Sequence, residues 1–124
     1  MFRLMEKLLT GDPVLKGIVN LHVFTEAADV EQARAAGDIL LQKLEAYEEI
    51  ELCRLKRYWK IPEYYEFSIE IGSPIISKNT PQEISKILGG RWKKAGDSLI
   101  LYQTKGKPFS MPNIKWASLE YIDL

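Results

Sequence analysis

The stretch RYWKIPEYYEFSIEI, residues 57–71, contains the clearest strand pattern in this chain. From position 64 onward, apolar and polar side chains alternate, and alternate side chains of a strand point to opposite sides of a sheet. The two predicted faces are Tyr65, Phe67, Ile69 and Ile71, and then Tyr64, Glu66, Ser68 and Glu70. The first face predicts a strand packed on a core. The residues at 60–62 predict the turn that joins it to a preceding strand at 49–59.

The rest of the chain extends this hairpin into a mixed α+β order. Strand patterns cover residues 18–24, 98–103 and 115–122, and helical spacing predicts a helix at 29–47. Asp29 and Thr25 are the two candidate caps for the start of this helix. Thr80, Pro81 and Glu83 predict a capping box for a second helix, which the glycines at 89–90 end. A change of apolar parity between Leu52 and Cys53 predicts a bulge or a strong twist there.

This order predicts one globular domain, residues 1–124, in a ferredoxin-like split β-α-β-β-α-β arrangement. It would have an antiparallel sheet, both helices on one face and an extra C-terminal strand. Composition agrees, since 46% of residues are hydrophobic and 27% charged. No apolar run reaches the roughly 18 residues that span a bilayer, and the N-terminus has no signal-peptide pattern. The chain is therefore predicted to be cytoplasmic, without a membrane partner.

The inventory of catalytic groups predicts that the chain is not an enzyme. It has one histidine, His22, and one cysteine, Cys53, and neither belongs to a metal-ligand, nucleotide-binding or nucleophile motif. Glu66 and Glu70 would lie about 13 Å apart along one strand face, at about 3.3 Å per residue. That is too far for a pair of hydrolytic carboxylates. No catalytic residue, metal site or cofactor is predicted.

Charge is distributed unevenly, although Lys+Arg and Asp+Glu both number 17. Residues 1–53 carry ten acidic and five basic side chains, whereas residues 54–124 carry seven acidic and twelve basic ones. A basic set lies in the second half and comprises Arg91, Trp92, Lys93, Lys94, Lys105 and Lys107, with Phe109 nearby. This region is a second candidate surface. Its alternative is a solvated hairpin whose lysines protect an exposed edge.

The residues around the predicted hairpin combine aromatic and acidic side chains. The predicted partner-binding residues are Tyr58, Trp59, Glu63, Tyr64, Glu66 and Glu70, surrounded by Glu48, Glu49 and Glu51. Tyr and Trp are common anchors of protein interfaces, and carboxylates around them favour a basic partner. The alternative is that Arg54, Lys56 and Arg57 neutralise Glu66 and Glu70 across the strands. The same glutamates would repel phosphate, which disfavours nucleic acid as the partner.

The hairpin RYWKIPEYYEF, with the capped TPQEISKILGG segment and the aromatic C-terminal strand, resembles the small immunity proteins of bacterial contact-dependent and polymorphic toxin systems. The resemblance implies binding to the C-terminal toxin domain of a cognate system, in many cases a nuclease, and neutralisation of that toxin. Two other functions stay open. One is a small ferredoxin-like enzyme or ligand-binding domain that dimerises through its sheet; the other, less favoured, is an RNA-binding module.

Overall fold

The described part of the chain forms a six-stranded antiparallel sheet with two helices. The computed structural model describes residues 17–47, 49–72, 76–102 and 113–123. The elements are β1 (Gly17–Glu26), α1 (Val30–Lys43), β2 (Glu49–Arg57), β3 (Tyr64–Gly72), α2 (Thr80–Leu88), β4 (Trp92–Ala95), β5 (Ser98–Tyr102) and β6 (Ile114–Asp123). The strand order is β2-β3-β1-β6-β5-β4. The predicted α+β class and antiparallel sheet are confirmed.

The C-terminal half of the sheet differs in detail from the prediction. The final strand, β6, pairs with β1 in the middle of the sheet, and β5 pairs with its other side. The predicted extra C-terminal strand therefore lies inside the sheet, and the β4–β5 hairpin forms the part of the sheet beyond it. The alternative for the basic region, a hairpin with lysines at an exposed edge, is present: β4 is a four-residue edge strand that pairs with β5.

Both helices pack on the same face of the sheet, in one buried cluster. Leu40 of α1 and Ile84 of α2 belong to the same cluster as Leu21 of β1 and Ile69 of β3. The cross-strand register places Leu21 opposite Ile69 and Phe67 opposite Val23. The alternation of β3 is confirmed, because its apolar face is buried beneath the helices. Its other face lies on the side of the sheet away from both described helices, and we call it the helix-free face in that sense.

Helix α1 begins where its cap residue predicts. The Asp29 carboxylate accepts a hydrogen bond from the Gln32 backbone N–H at 2.9 Å, which satisfies one of the unpaired donors of the first turn. Gly37 faces β2. A Cβ at this position would overlap Cδ1 of Leu52 and lie 3.6 Å from Cε2 of Phe67. Glycine therefore lets α1 approach the sheet closely.

Helix α2 keeps its predicted limits but not its predicted cap. The residue before its first turn is Asn79. The Thr80 hydroxyl instead accepts a hydrogen bond from the Ser77 backbone N–H at 2.9 Å, so the predicted capping box is wrong. Gly89, at φ 77°, ends the helix as predicted. Of the described helices, neither combines the length and apolar character needed to cross a membrane.

The predicted irregularity in β2 is a bulge. The register between β2 and β3 shifts between Cys53 and Lys56, and Arg54 within this segment has a φ of 57°. A residue other than glycine in this left-handed region costs about 1–2 kcal/mol. The bulge turns the Arg54 side chain over the helix-free face, as described below. It also interrupts one of the two edges of the sheet.

Candidate functional site

An aromatic row crosses the helix-free face from β6 to the β2–β3 connection. We call His22, Phe24, Tyr58, Trp59 and Trp116 the aromatic cluster. Phe24 lies at its centre, with ring centroids 5.1 Å from Trp116, 4.6 Å from Tyr58 and 5.0 Å from His22. The strand register explains the arrangement, because Phe24 of β1 is directly opposite Trp116 of β6. Aromatic pairs at these separations stabilise each other beyond the burial of area alone.

Trp59 extends this row into solvent. Its ring centroid lies 6.2 Å from that of Tyr58, yet the residue is 80% exposed. The connection that carries it is closed by the Tyr58 backbone N–H donating to the Tyr64 carbonyl at 2.8 Å. The Lys60 ammonium lies 5.7 Å from the indole centroid, within cation–π range. An exposed tryptophan on a hydrogen-bonded turn is therefore available to a partner.

Glu66 lies within the aromatic cluster and faces His22. One carboxylate oxygen is 3.3 Å from His22 Nε2, and the glutamate side chain is only 13% exposed. The two atoms are in contact, but their alignment does not make a hydrogen bond. The β2 residue directly opposite Glu66 is Lys56. Glu66 thus supplies a carboxylate at the base of the cluster rather than at its rim.

Glu70 is on the helix-free face, as predicted, but it is only 7% exposed. The Arg54 side chain crosses β3 and donates to Asn20 Oδ1 on β1 at 3.2 Å, passing the strand that carries Glu70. Burial raises the pKa of the Glu70 carboxyl, while Arg54 and the hydrogen bond from Cys53 act in the opposite direction. Glu70 therefore lies beneath Arg54 and is not presented to solvent.

Cys53 does not have the properties of a nucleophile. Burial raises the pKa of its thiol to about 11, and the adjacent Glu70 carboxylate adds to the effect. Its Sγ donates to Glu70 Oε1 at 3.7 Å. A thiol with a raised pKa is mostly protonated and unreactive at neutral pH. Within the described ranges, no three His, Cys, Asp or Glu side chains are grouped so as to hold a metal ion.

The remaining predicted contact residues are distributed around the cluster. Glu63 is exposed in the β2–β3 connection, and Tyr64 is half-buried opposite Glu26. Glu49 and Glu51 are half-buried on β2, and Glu51 lies opposite Glu70. Glu48 lies outside the described residues. The structure therefore brings the aromatic residues and Glu66 together, whereas Glu49 and Glu51 lie farther along the sheet.

The alternative of cross-strand neutralisation concerns Arg54, Lys56 and Arg57, and the structure places these three side chains differently. Arg54 lowers the pKa of Glu70 against the effect of burial, and Lys56 is in register with Glu66. Arg57 acts elsewhere, since its guanidinium donates to the Pro62 carbonyl at 3.2 Å and to the Tyr65 hydroxyl at 2.9 Å. The described contacts of Arg57 are therefore with the connection and Tyr65 rather than with Glu66 or Glu70.

Sequence reasoning missed two central members of the cluster, Phe24 and Trp116. Each lies two positions from a polar residue of its own strand, because Phe24 is two residues after His22 and Trp116 is two residues before Ser118. Strict alternation would have placed each of them on the helix-free face. The missing information was that β1 and β6 pair, which brings the two rings together from distant parts of the chain.

The predicted basic region is described only in part, since Lys105, Lys107 and Phe109 lie outside the described residues. Lys93 and Lys94 are exposed on the edge strand β4. Lys94 also lines a cavity of about 510 Å³ beside α2, together with Lys78 and Lys86. Acidic side chains from Glu83 and Asp97 line the same cavity, so its charge is mixed.

Comparison with known proteins gives no relative from which to assign this surface. No family model, curated protein or solved structure matches the chain. The chemistry of the surface therefore has to be argued from its own residues.

Proposed function

We propose that this chain is an immunity protein that binds and neutralises a cognate bacterial toxin domain in the cytoplasm. The interface would be the aromatic cluster, with Glu63, Tyr64 and Glu66 beside it. The observation that carries the proposal is Trp59, which is 80% exposed and continuous with an ordered aromatic row. Large exposed aromatic side chains with few rotatable bonds are the residues that dominate protein interfaces.

The sheet order supports a ferredoxin-like split arrangement within this proposal. Strands β2-β3-β1-β6 are antiparallel neighbours, and α1 and α2 follow β1 and β3 in the chain. In this arrangement one sheet face is covered by helices and the other is left to ligands or partners. The β4–β5 hairpin would be an addition at the β6 side. The aromatic cluster lies on the face that this arrangement leaves uncovered.

The charges beside the cluster support a protein partner with a basic surface rather than a nucleic acid. Glu63 is exposed on the connection, and Glu66 lies at the base of the cluster. Carboxylates at these positions repel phosphate groups, whereas they accelerate encounter with a basic protein surface. A basic toxin surface, such as the substrate cleft of a nuclease, would satisfy this requirement.

The proposal is tested by capture followed by a binding measurement. The chain is used to retain partners from its source bacterium, and a retained C-terminal fragment of a large secreted protein is then purified. Trp59→Ala should weaken binding to that fragment about 30-fold or more, as expected for a loss of about 2 kcal/mol at a central aromatic residue. The wild-type chain should also block the fragment's toxic activity in a growth assay.

A matched control is available on the helix side of the molecule. Ile39 is exposed on α1, at 45%, and Ile39→Ala should leave binding within about twofold of wild type. Equal binding by the Trp59 and Ile39 variants would contradict the proposed interface. A homodimer with no retained toxin fragment would contradict the immunity function and favour the dimeric ligand-binding or enzyme alternative.

A further inference from the structure

We propose that the β2–β3 connection contains a subsite for one arginine side chain of the partner, seated on the Trp59 indole and paired with the Glu63 carboxylate. This inference rests on the proposed function and specifies the chemistry of the partner at the same surface. It follows from three features of residues 58–63: the exposed ring, an internal cation already on that ring, and a carboxylate that has no cation.

The first part of the subsite is the indole ring of Trp59. The Trp59 ring faces solvent over most of its area, and the chain's own Lys60 ammonium lies 5.7 Å from its centroid. This distance is within the roughly 6 Å at which the ring quadrupole attracts a cation. Lys60 therefore marks the indole as a cation site in the free protein. A guanidinium binds such a ring better than an ammonium, because it is planar and less strongly hydrated.

The second part of the subsite is the carboxylate of Glu63. Glu26 is 3.9 Å from the Lys115 ammonium, and Glu66 faces His22 at 3.3 Å. Among the described residues, no cation lies within ion-pair distance of Glu63. Glu63 is exposed and lies on the same connection as Trp59. It is therefore the carboxylate of residues 58–63 that a partner can pair.

The third part of the subsite is a cavity beside the β2–β3 connection. A cavity of about 430 Å³ lies between the end of β1 and the connection, and Glu26 and Glu63 both line it. Arg57 also lines it, but its guanidinium is bonded to Pro62 and Tyr65. The Tyr58–Tyr64 backbone hydrogen bond makes Trp59 and Glu63 the next residues on the two sides of the connection. A long side chain that lies across the Trp59 ring can therefore extend toward Glu63, where the cavity leaves room. Arginine meets both requirements, because its stem covers apolar surface and its head forms a bidentate pair with a carboxylate.

The test is an NMR titration of the full chain with N-acetyl-arginine amide, followed at the indole N–H of Trp59. Its uncharged analogue, N-acetyl-citrulline amide, and uridine monophosphate are titrated in parallel. Arginine amide should give a saturable shift, and citrulline amide should bind at least about threefold more weakly. An equal response to citrulline amide would overturn the inference. A stronger response to uridine monophosphate would overturn it in favour of base stacking.

Two substitutions separate the ring from the carboxylate. Lys60→Gln removes the internal cation and should strengthen arginine amide binding about two- to fivefold. Glu63→Gln should weaken it by a similar factor. Lys86→Gln on α2 and Glu31→Gln on α1 are matched exposed controls and should change nothing. Weaker binding in the Lys60 variant would overturn the internal role of this lysine and the inference with it.

The same variants distinguish this inference from the proposed function. If arginine amide binds as described but no toxin fragment is retained, the immunity function fails and the subsite stands. If a toxin fragment binds through Trp59 but its affinity is unaffected by both Lys60→Gln and Glu63→Gln, the function stands and the subsite is refuted.

Discussion

The close approach of α1 to the sheet can be tested at Gly37. Replacing this glycine by alanine improves helix propensity by about 0.5–1 kcal/mol. The added Cβ, however, overlaps Cδ1 of Leu52 and lies 3.5 Å from its Cγ. Leu52 must then leave its rotamer or β2 must move, and overpacking of this kind costs about 1–3 kcal/mol. We therefore expect Gly37→Ala to destabilise the protein by up to about 2.5 kcal/mol.

A double-mutant cycle isolates the cause. Leu52 is half-buried on the edge strand β2, so Leu52→Ala alone should cost less than the 2–5 kcal/mol typical of a fully buried leucine. In that background the obstructing methyl group is absent. Gly37→Ala should then stabilise the protein by about 0.5–1 kcal/mol. The sign of the effect reverses between the two backgrounds, which gives an interaction energy of about 1–3 kcal/mol.

Urea unfolding followed by tryptophan fluorescence measures all four free energies of unfolding. If Gly37→Ala changes the free energy of unfolding equally in both backgrounds, contact with Leu52 is not the cause of the destabilisation, and the explanation is refuted. A stabilising Gly37→Ala in the wild-type background would also refute it. In that case α1 would lie farther from β2 than the structure places it.

Two further predictions concern the buried titratable groups. Burial raises the pKa of Glu70 above its usual 4.5, so the folded chain keeps a proton that the unfolded chain has released, and stability falls as pH rises through this interval. We therefore expect the urea midpoint of Glu70→Gln to increase relative to that of wild type as the pH rises from 4 to 8. Midpoint curves that run parallel would contradict this. Burial also raises the pKa of Cys53 from 9.0 to about 11, so its thiolate at pH 8 should be roughly 100-fold scarcer than that of an ordinary thiol. Alkylation by iodoacetamide should be slower by at least that factor in the native chain than in urea, and similar rates would show that the thiol is not buried.

Local patterns predicted the parts of the fold that depend on neighbouring residues. The alternation of β3 identified which side of it would meet the helices, and the parity change in β2 located the bulge that the structure has at Arg54. The Asp29 cap was also among the predicted starts of α1. These features are set by side chains within a few positions of each other.

The missed features depend on contacts between distant residues. Phe24 and Trp116 meet because β6 returns to pair with β1, and no local pattern states which strands pair. The alternation of β3 correctly predicted the side of the sheet on which Glu70 lies. It could not predict that Glu70 is buried, because Arg54 reaches Asn20 across that strand. The strand β4 is short and lysine-rich, and it exists because β5 pairs with it.

The two edges of the described sheet determine whether copies of the chain can aggregate by adding strands to one another at high concentration. The β2 edge is interrupted by the Arg54 bulge and carries the exposed Lys56, and the β4 edge offers four residues with two exposed lysines. Neither edge is a flat, apolar template on which another copy could add a strand. Growth of cross-β fibres is therefore disfavoured, even though a tryptophan faces solvent. Association at high concentration would instead be expected through the aromatic cluster, which buries apolar surface without pairing strand edges.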